Sequence, residues 1–187
     1  MTELYVANTD NNWFDFLRAR QPWEEVNFWK PSQQIFKAID EGGLFVFRLK
    51  APRNVIGGYG ILVSSINAPI KLAWDSLGEA NGVPSIENLV TAIARYRTSR
   101  DTTEHSLIGC RLISNPVFFS EDQWFEVPSS WQTALCRARP TIRAPMKAFA
   151  SCSSLRRGLD LKRDSDGTTD SSKGLRRRHR GSANQFH

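Results

Sequence analysis

The residues best suited to chemistry form an aromatic run with polar neighbours between positions 23 and 32. The run contains Trp23, Asn27, Phe28, Trp29, Lys30, Pro31 and Ser32. Rings at this density can line a cage that stacks on an exposed nucleobase, and each such contact is worth about 1–3 kcal/mol. The same rings can instead pack a hydrophobic core. The run therefore predicts a base-binding surface, with core packing as the alternative.

A second group of candidates lies on and after the apolar run at 44–49. Arg48, Lys50 and Arg53 are cations that can hold phosphate groups. Tyr59, in the glycine-rich segment that follows, is a further candidate for contact with DNA. A solvated strand edge is the alternative explanation of the three cations. Together with the aromatic run, these residues predict contact with nucleic acid.

The sequence contains no complete catalytic motif. The three histidines have neither metal-ligand nor acid–base spacing, and the three cysteines form no Cys-x-x-Cys pair. The segment at 57–60 lacks the glycine spacing and the Lys-Ser/Thr pair of a phosphate-binding loop. An acid–base pair could be made from carboxylates such as Asp75 and Glu79, which lie four residues apart and could share a helix face, with solvated helix residues as the alternative. We therefore expect no bound cofactor, and an enzymatic function stays open only through such a pair.

The elements that must position these residues alternate irregularly between strands and helices. The patterns predict strands at 4–7, 44–49, 55–63, 107–113 and 117–119, an extended piece at 26–29, helices at 12–18, 69–77 and 85–96, and a helical turn at 35–39. The run at 44–49 is apolar at nearly every position, which indicates a central strand. The glycines at 57–60 predict a bulge or a tight bend. The expected fold class is α+β, with a small glycine-bent mixed sheet or partly closed barrel and peripheral helices.

The charge of the chain is unevenly distributed. Of 25 Lys and Arg residues and 19 Asp and Glu residues, 13 and 4 respectively lie from Cys136 onward, which leaves 12 basic and 15 acidic groups before it. Residues 1–135 thus carry a net charge of −3, and residues 136–187 carry +9. The second segment has few apolar residues and no periodicity, so it cannot bury enough surface to offset its ordering entropy. We expect a domain at 1–135 and a basic, disordered tail at 136–187.

Several characteristic runs follow one another along positions 4–135. They include Tyr5-Val-Ala-Asn-Thr-Asp10, Glu25-Val-Asn-Phe-Trp-Lys-Pro31, Phe45-Val-Phe-Arg-Leu-Lys-Ala-Pro-Arg-Asn54, Ile56-Gly-Gly-Tyr-Gly60, Leu72-Ala-Trp-Asp75 and Asn115-Pro-Val-Phe-Phe119. As an ordered set they resemble the N-terminal region of bacterial restriction endonucleases of the HNH type. The resemblance implies a PUA-like barrel that recognises DNA, modified DNA included.

In the family that the chain resembles, cleavage belongs to a downstream His-Asn-His module with a ββα fold and a divalent metal. This chain contains no His-Asn-His segment. The resemblance therefore implies a DNA-recognition module without its nuclease, and a divalent metal is expected only for the absent module. The alternative is a structural domain that mediates contacts within the endonuclease and binds no DNA, which the net charge of −3 favours.

The tail departs from this family at Cys136, where the family continues approximately as Val-Gln-Gly-Lys-Thr-Tyr-Asp. The observed segment Cys136-Arg-Ala-Arg-Pro-Thr-Ile142 can be encoded as TGC AGG GCA AGA CCT ACG ATA. Taken one base earlier, with the last G of a CTG codon for Leu135, the same bases give GTG CAG GGC AAG ACC TAC GAT, which encodes the family's segment. We therefore expect residues 136–187 to be out-of-frame sequence without a selected function.

The start of the chain carries no targeting pattern. Met1-Thr-Glu-Leu-Tyr-Val6 has no basic segment, and no stretch of the sequence approaches the run of about 18 apolar residues that a membrane span requires. The sequence thus predicts a soluble, cytoplasmic protein with DNA as its partner and no membrane contact.

Overall fold

The computed structural model describes residues 3–98, 101–127 and 141–143. Its strands and α-helices, in chain order, are β1 (Glu3–Thr9), α1 (Asn11–Arg18), β2 (Glu25–Asn27), β3 (Leu44–Leu49), β4 (Val55–Pro69), α2 (Ile70–Leu77), α3 (Ile86–Ala94), β5 (Leu107–Phe118), β6 (Phe125–Glu126) and β7 (Thr141–Arg143). Short 3₁₀ helices occupy Gly78–Asn81 and Glu121–Gln123. This mixture of strands and separate helices confirms the predicted α+β class.

The seven strands form one mixed sheet in the order β2-β5-β4-β3-β1-β7, with β6 paired to β4. β1 and β3 are parallel, whereas every other pair is antiparallel. β3 lies between β4 and β1, and all but two of its residues are buried. The prediction of a central strand at 44–49 is therefore confirmed.

The sheet curls strongly, because strands that are distant in its order meet through their side chains. β2 and β3 are separated by two strands, yet the rings of Phe28 and Phe45 lie 4.9 Å apart. The bend is made in β4, which shifts register against β5 at two places. A Cβ atom on Gly58 would lie 2.2 Å from the carbonyl oxygen of Val117, so only glycine allows β5 this close. The predicted glycine-bent sheet is confirmed.

Helix α1 packs on the concave face of the curled sheet, where Trp13 meets the rings of Phe28, Phe47 and Phe118. The helices begin and end at local signals in the sequence. The Asp10 carboxylate accepts hydrogen bonds from the first backbone amides of α1, and the Ser85 hydroxyl caps α3 in the same way. Pro69 precedes α2 and Gly78 (φ 49°) ends it. Among the described residues, no helix has the length and apolar character needed to cross a membrane.

The predicted helical turn at 35–39 is wrong. The structure has no helix at these residues. The residues just before them are bonded to the sheet, since the amide of Gly109 donates to the carbonyl of Ser32 and the Asn67 side chain donates to that of Gln33. These bonds fix residues 32–33 against the ends of β4 and β5.

Two further elements differ from the sequence-based expectation. The predicted strands at 107–113 and 117–119 are one strand, β5, with Asn115 at φ 47° inside it. Asparagine tolerates this left-handed conformation, so the chain bends without ending the strand. β7 lies within the segment predicted to be disordered, and it pairs with β1. The remainder of residues 136–187 lies outside the described residues.

Candidate functional site

Two adjoining clefts open where the start of α1, the segment after β2 and the end of α3 meet. The first, which we call the basic cleft, has a cavity volume of about 80 Å³ and is lined by Asn8, Asp10, Trp13, Phe28, Trp29, Lys30, Pro31, Lys50 and Tyr96. The second has a cavity volume of about 250 Å³ and shares four of these residues, namely Asp10, Trp13, Trp29 and Tyr96. Both volumes lie below the range typical of small-ligand sites, about 300–1,000 Å³.

Aromatic rings form the floor and the walls of the basic cleft. Trp13 is buried, and its indole NH donates to the carbonyl of Asn27 at 3.2 Å. Trp29 is half-buried, and its indole NH donates to the carbonyl of Asn81 at 3.0 Å. Tyr96, two residues beyond α3, is 53% exposed. The cleft therefore has a fixed aromatic floor and at least one ring that is open to solvent.

A buried amide pair sets the position of Trp29. The Asn27 side chain is fully buried and donates to the side-chain oxygen of Asn81 at 2.8 Å. The Asn81 amide in turn donates to the carbonyls of Ala73 and Gly78, at 3.0 and 2.9 Å. This network ties β2 to α2 and to the 3₁₀ helix that follows. Asn27 lines neither cleft, so it supports the site from behind rather than facing a ligand.

The mouth of the basic cleft carries a hydrogen-bonded polar group. The Tyr96 hydroxyl donates to the Asp10 carboxylate at 2.6 Å, and the Lys50 ammonium lies 3.5 Å from the same carboxylate oxygen. Burial alone would raise the pKa of Asp10, but hydrogen bonds from Tyr96 and from the α1 amides, with the charge of Lys50, bring it below its usual value. Asp10 is therefore an anionic acceptor at neutral pH.

Lys30 also lines the basic cleft and has no counter-ion among the described residues. Its ammonium is 5.3 Å from the centre of the Phe28 ring and makes no hydrogen bond or ion pair with the described residues. Burial, followed by the charges of Arg111 and Lys50, lowers the pKa of Lys30 to about 8. A cation held in this way gains from any acceptor that enters the cleft.

Two of the predicted DNA contacts lie away from both clefts. The Trp23 indole donates to the carbonyl of Leu17 at 2.9 Å and packs on the core. Arg53 makes a two-pronged ion pair with Asp15, at 2.8 and 2.9 Å, and lies 5.1 Å from the ring of Trp124. Each of these side chains is already engaged with the domain itself.

The other predicted contacts are also dispersed. Arg48 donates to Asn8 at 3.0 Å, and Ser32 is exposed on the extended segment after β2. Tyr59 is buried against Phe119 on the other face of the sheet, with 5.9 Å between the ring centres. Of the nine residues selected from the sequence, the structure thus places three, Trp29, Lys30 and Lys50, in the basic cleft.

The candidate acid–base pair is not brought together. Asp75 lies on α2, where both of its carboxylate oxygens accept from Lys71, at 2.5 and 2.7 Å. Glu79 lies beyond Gly78 on the 3₁₀ helix and pairs with Arg20 at 3.5 Å. The helix ends between the two carboxylates, so the expectation that they share one helical face is wrong.

Four residues that line the basic cleft were not selected from the sequence, namely Asn8, Asp10, Trp13 and Tyr96. In the sequence, Asp10 has the position of a helix cap, and Trp13 and Tyr96 have the spacing of buried helical residues, so their patterns do not indicate a ligand site. Position is the signal that could have identified these three, because they lie at or near helix ends that meet beside Trp29.

Comparison with known proteins gives similarity of fold only. No protein-family model and no curated protein matches the chain, so neither comparison links it to the HNH-type endonucleases. The structure is similar to that of ASCH from Zymomonas mobilis, at 8% identity over 72% of this chain and 93% of that one, with a TM-score of 0.41. Two single-residue variants of the same protein are similar at 8–9% identity, over 86% of this chain and 95–96% of theirs, with TM-scores of 0.45 and 0.42. Similarity at this level does not extend to residues, ligands or activity.

Proposed function

We propose that this chain recognises nucleic acid by receiving an unstacked base in the basic cleft. The observation that supports the proposal is the arrangement of the cleft itself, in which aromatic rings stand beside two lysines and one carboxylate. A nucleobase presents a flat π face, a polar edge and a nearby phosphate, and proteins bind these parts with aromatic rings, hydrogen-bonding groups and cations respectively.

Each part of the proposed ligand has a matching group. Trp29 and Tyr96 offer the rings for stacking, and the Asp10 carboxylate can accept from the amino group of a base. Lys50 and Lys30 can contact phosphate. Because the cleft is recessed, a base inside an intact duplex cannot reach its floor. The ligand is therefore an extruded or single-stranded base.

We further propose that the natural ligand is DNA, modified DNA included, in the setting of an HNH-type restriction system. This part rests on the resemblance of the sequence runs and has no support from the comparisons. The chain then recognises DNA without cleaving it, since it contains no His-Asn-His segment. Incubation of the full chain with duplex DNA and Mg²⁺ or Mn²⁺ should leave the DNA intact, and robust cleavage that copurifies with the protein would refute this part.

The decisive variant is Trp29→Ala, and the chain offers a matched control in Trp23→Ala. Both indoles are half-buried and both donate to a backbone carbonyl, at 3.0 and 2.9 Å, but only Trp29 lines the cleft. Loss of one stacking contact of about 1–3 kcal/mol weakens binding by roughly 5- to 150-fold. Trp23→Ala should lower the stability of the fold by about as much as Trp29→Ala does. It should leave the dissociation constant for nucleic acid unchanged.

The contribution of the basic tail to the measured affinity must be removed, because its cations bind DNA without selecting a base. Both variants are therefore compared in a full chain, here called tail-neutralised, in which the nine Lys and Arg residues from Arg156 to Arg180 are replaced by serine, so that the net charge of residues 136–187 falls from +9 to 0. Circular dichroism confirms that each protein is folded, and fluorescence anisotropy with single-stranded and gapped oligonucleotides gives the affinity. Equal affinity of the two folded tryptophan variants would refute the proposed site.

The alternative function is a contact domain that binds no nucleic acid, and two observations favour it. The net charge of residues 1–135 is −3, and apolar side chains are exposed on neighbouring elements, at Ile66, Leu72 and Leu107. The two functions differ in their response to salt. Binding through phosphates weakens steeply between about 50 and 200 mM salt because counterions are released. Absence of any binding by the tail-neutralised chain at the lower concentration would support the contact role.

A further inference from the structure

Arg111 is a buried cation that has no counter-ion among the described residues. It interrupts the apolar strand β5, where it is 7% exposed. Its Nε and Nη1 atoms are buried and make no hydrogen bond, and the guanidinium forms no ion pair with the described residues. The ring of Phe36 lies under the guanidinium, with its centre 4.4 Å from the guanidinium carbon.

This arrangement is costly unless something else neutralises the charge. An unpaired buried cation costs several kcal/mol, and arginine cannot escape by losing its proton at physiological pH. The titratable groups that act on it are Tyr5 and Cys110. Burial raises the pKa of both, which keeps them neutral near pH 7. The described part of the chain therefore supplies no anion to Arg111.

Lys30 lies beside Arg111 on the same face of the sheet. The amide of Phe28 donates to the carbonyl of Arg111 at 2.9 Å, so these two residues lie opposite each other. Lys30 is paired with Gly109, two residues along each strand, so Lys30 and Arg111 are diagonal neighbours. Diagonal neighbours of an antiparallel pair are about 7–8 Å apart, within the joint reach of these two long side chains. The Phe28 and Phe36 rings under the two cations both contact Phe45. Two cations without counter-ions are thus held on one aromatic surface.

We propose that Arg111 and Lys30 form a binding site for a phosphate group that carries two negative charges, either inorganic phosphate or a phosphate monoester. Two unpaired cations match a dianion, whereas a carboxylate or a phosphodiester would neutralise only one of them. The guanidinium offers parallel N–H donors to two oxygens, and the ammonium offers a third bond. The site adjoins the basic cleft through Lys30, but it does not depend on whether that cleft receives a base.

The experiment is a thermal unfolding titration of the full chain with inorganic phosphate, at constant ionic strength maintained with chloride. A ligand that binds only the folded state raises the midpoint progressively with its concentration. The rise should be present in the wild type and in Arg18→Met, which removes an arginine that is already paired with Glu121. It should be absent in Arg111→Met. A wild type whose midpoint does not respond to phosphate, or an Arg111→Met variant that responds equally, would overturn the proposal.

Arg111→Met also separates a ligand site from a structural role. Without phosphate the variant should be at least as stable as the wild type, because it removes an unpaired buried charge and keeps the packing. If the variant is instead unfolded, Arg111 has a structural role, and the proposal that it is held for a phosphate ligand is overturned. Lys30→Met, at a half-buried position, provides the second test. Loss of the phosphate response in this variant supports the site, and retention of the response overturns it.

The source of the phosphate is resolved by three further probes. A nucleoside monophosphate that stabilises more strongly than inorganic phosphate identifies a monoester ligand, and equal effects identify free phosphate as sufficient. The nucleoside alone and a dinucleoside phosphodiester should cause little midpoint shift that is lost in Arg111→Met. A phosphodiester whose Arg111-dependent shift equals that of the monoester would contradict the proposal that the site selects a dianion. Since inorganic phosphate contains no base, failure of base recognition in the basic cleft leaves this outcome unaffected.

Discussion

The side chain of Tyr96 offers the cleanest perturbation of the basic cleft, because it is both a wall of the cleft and 53% exposed. Tyr96→Ala removes the ring and its hydroxyl, whereas Tyr96→Phe removes the hydroxyl alone. If a base stacks on this ring, the alanine variant should lose about 1–3 kcal/mol of binding free energy, a decrease in affinity of roughly 5- to 150-fold. The phenylalanine variant should retain most of the affinity.

The expected loss of stability is small enough for the domain to remain folded. A tyrosine that is about half buried covers on the order of 100 Å² in the folded protein, which corresponds to about 2 kcal/mol. The hydroxyl donates to Asp10 at 2.6 Å, and loss of such a bond at an exposed position costs about 1 kcal/mol. Tyr96→Phe should therefore unfold only slightly earlier than the wild type in urea.

Affinity is measured by fluorescence anisotropy with a gapped oligonucleotide in the tail-neutralised chain, and folding by circular dichroism under the same conditions. Wild-type affinity in a folded Tyr96→Ala variant would refute stacking on this ring. An equal loss in the alanine and phenylalanine variants would show that the hydroxyl and its bond to Asp10, rather than the ring, contribute the binding energy.

Two other results are expected from the structure, and a third is expected from the sequence. Lys30 has a pKa of about 8 in the folded state against 10.5 in the unfolded state, so unfolded chains bind more protons between these values. Deprotonation of Lys30 should therefore make the free energy of unfolding rise with pH between about 8 and 10.5. Urea titrations at successive pH values should show a smaller rise in Lys30→Met than in the wild type. Gly58→Ala should destabilise by at least about 1–3 kcal/mol, because the new methyl meets the Val117 carbonyl, and a neutral effect would show that β5 can move away. Sequencing the gene beyond codon 135 should reveal a His-Asn-His module in another frame, and its absence from all frames would contradict the frameshift hypothesis.

Local signals were sufficient for much of the framework. Asp10 and Ser85 begin helices because their side chains cap the first amides, an interaction confined to three residues. The glycines of β4 predicted the bend because close approach of another backbone excludes a Cβ atom. Trp29 and Lys30 could be grouped from the sequence because they are neighbours in the chain, and both line the basic cleft.

The rest depended on contacts between distant residues. Asn27 was predicted to face DNA, but its partner Asn81 lies 54 positions away and draws the amide into the core. Tyr96 has the spacing of a buried helical residue, yet α3 ends at Ala94, so the helical period no longer sets its direction. Arg111 was overlooked in an apolar strand, although a single charge in such a run is itself a signal of an unusual environment.

The most direct test of base recognition in the basic cleft is the NMR signal of each tryptophan indole NH during titration of the tail-neutralised chain with a single-stranded oligonucleotide. Trp29 and Trp13 line the cleft, whereas Trp23 and Trp124 donate their NH groups elsewhere in the domain. Recognition in the cleft predicts saturable shifts of the Trp29 and Trp13 signals, with those of Trp23 and Trp124 unchanged. Saturable binding that shifts Trp23 or Trp124 and leaves Trp29 unmoved would contradict it.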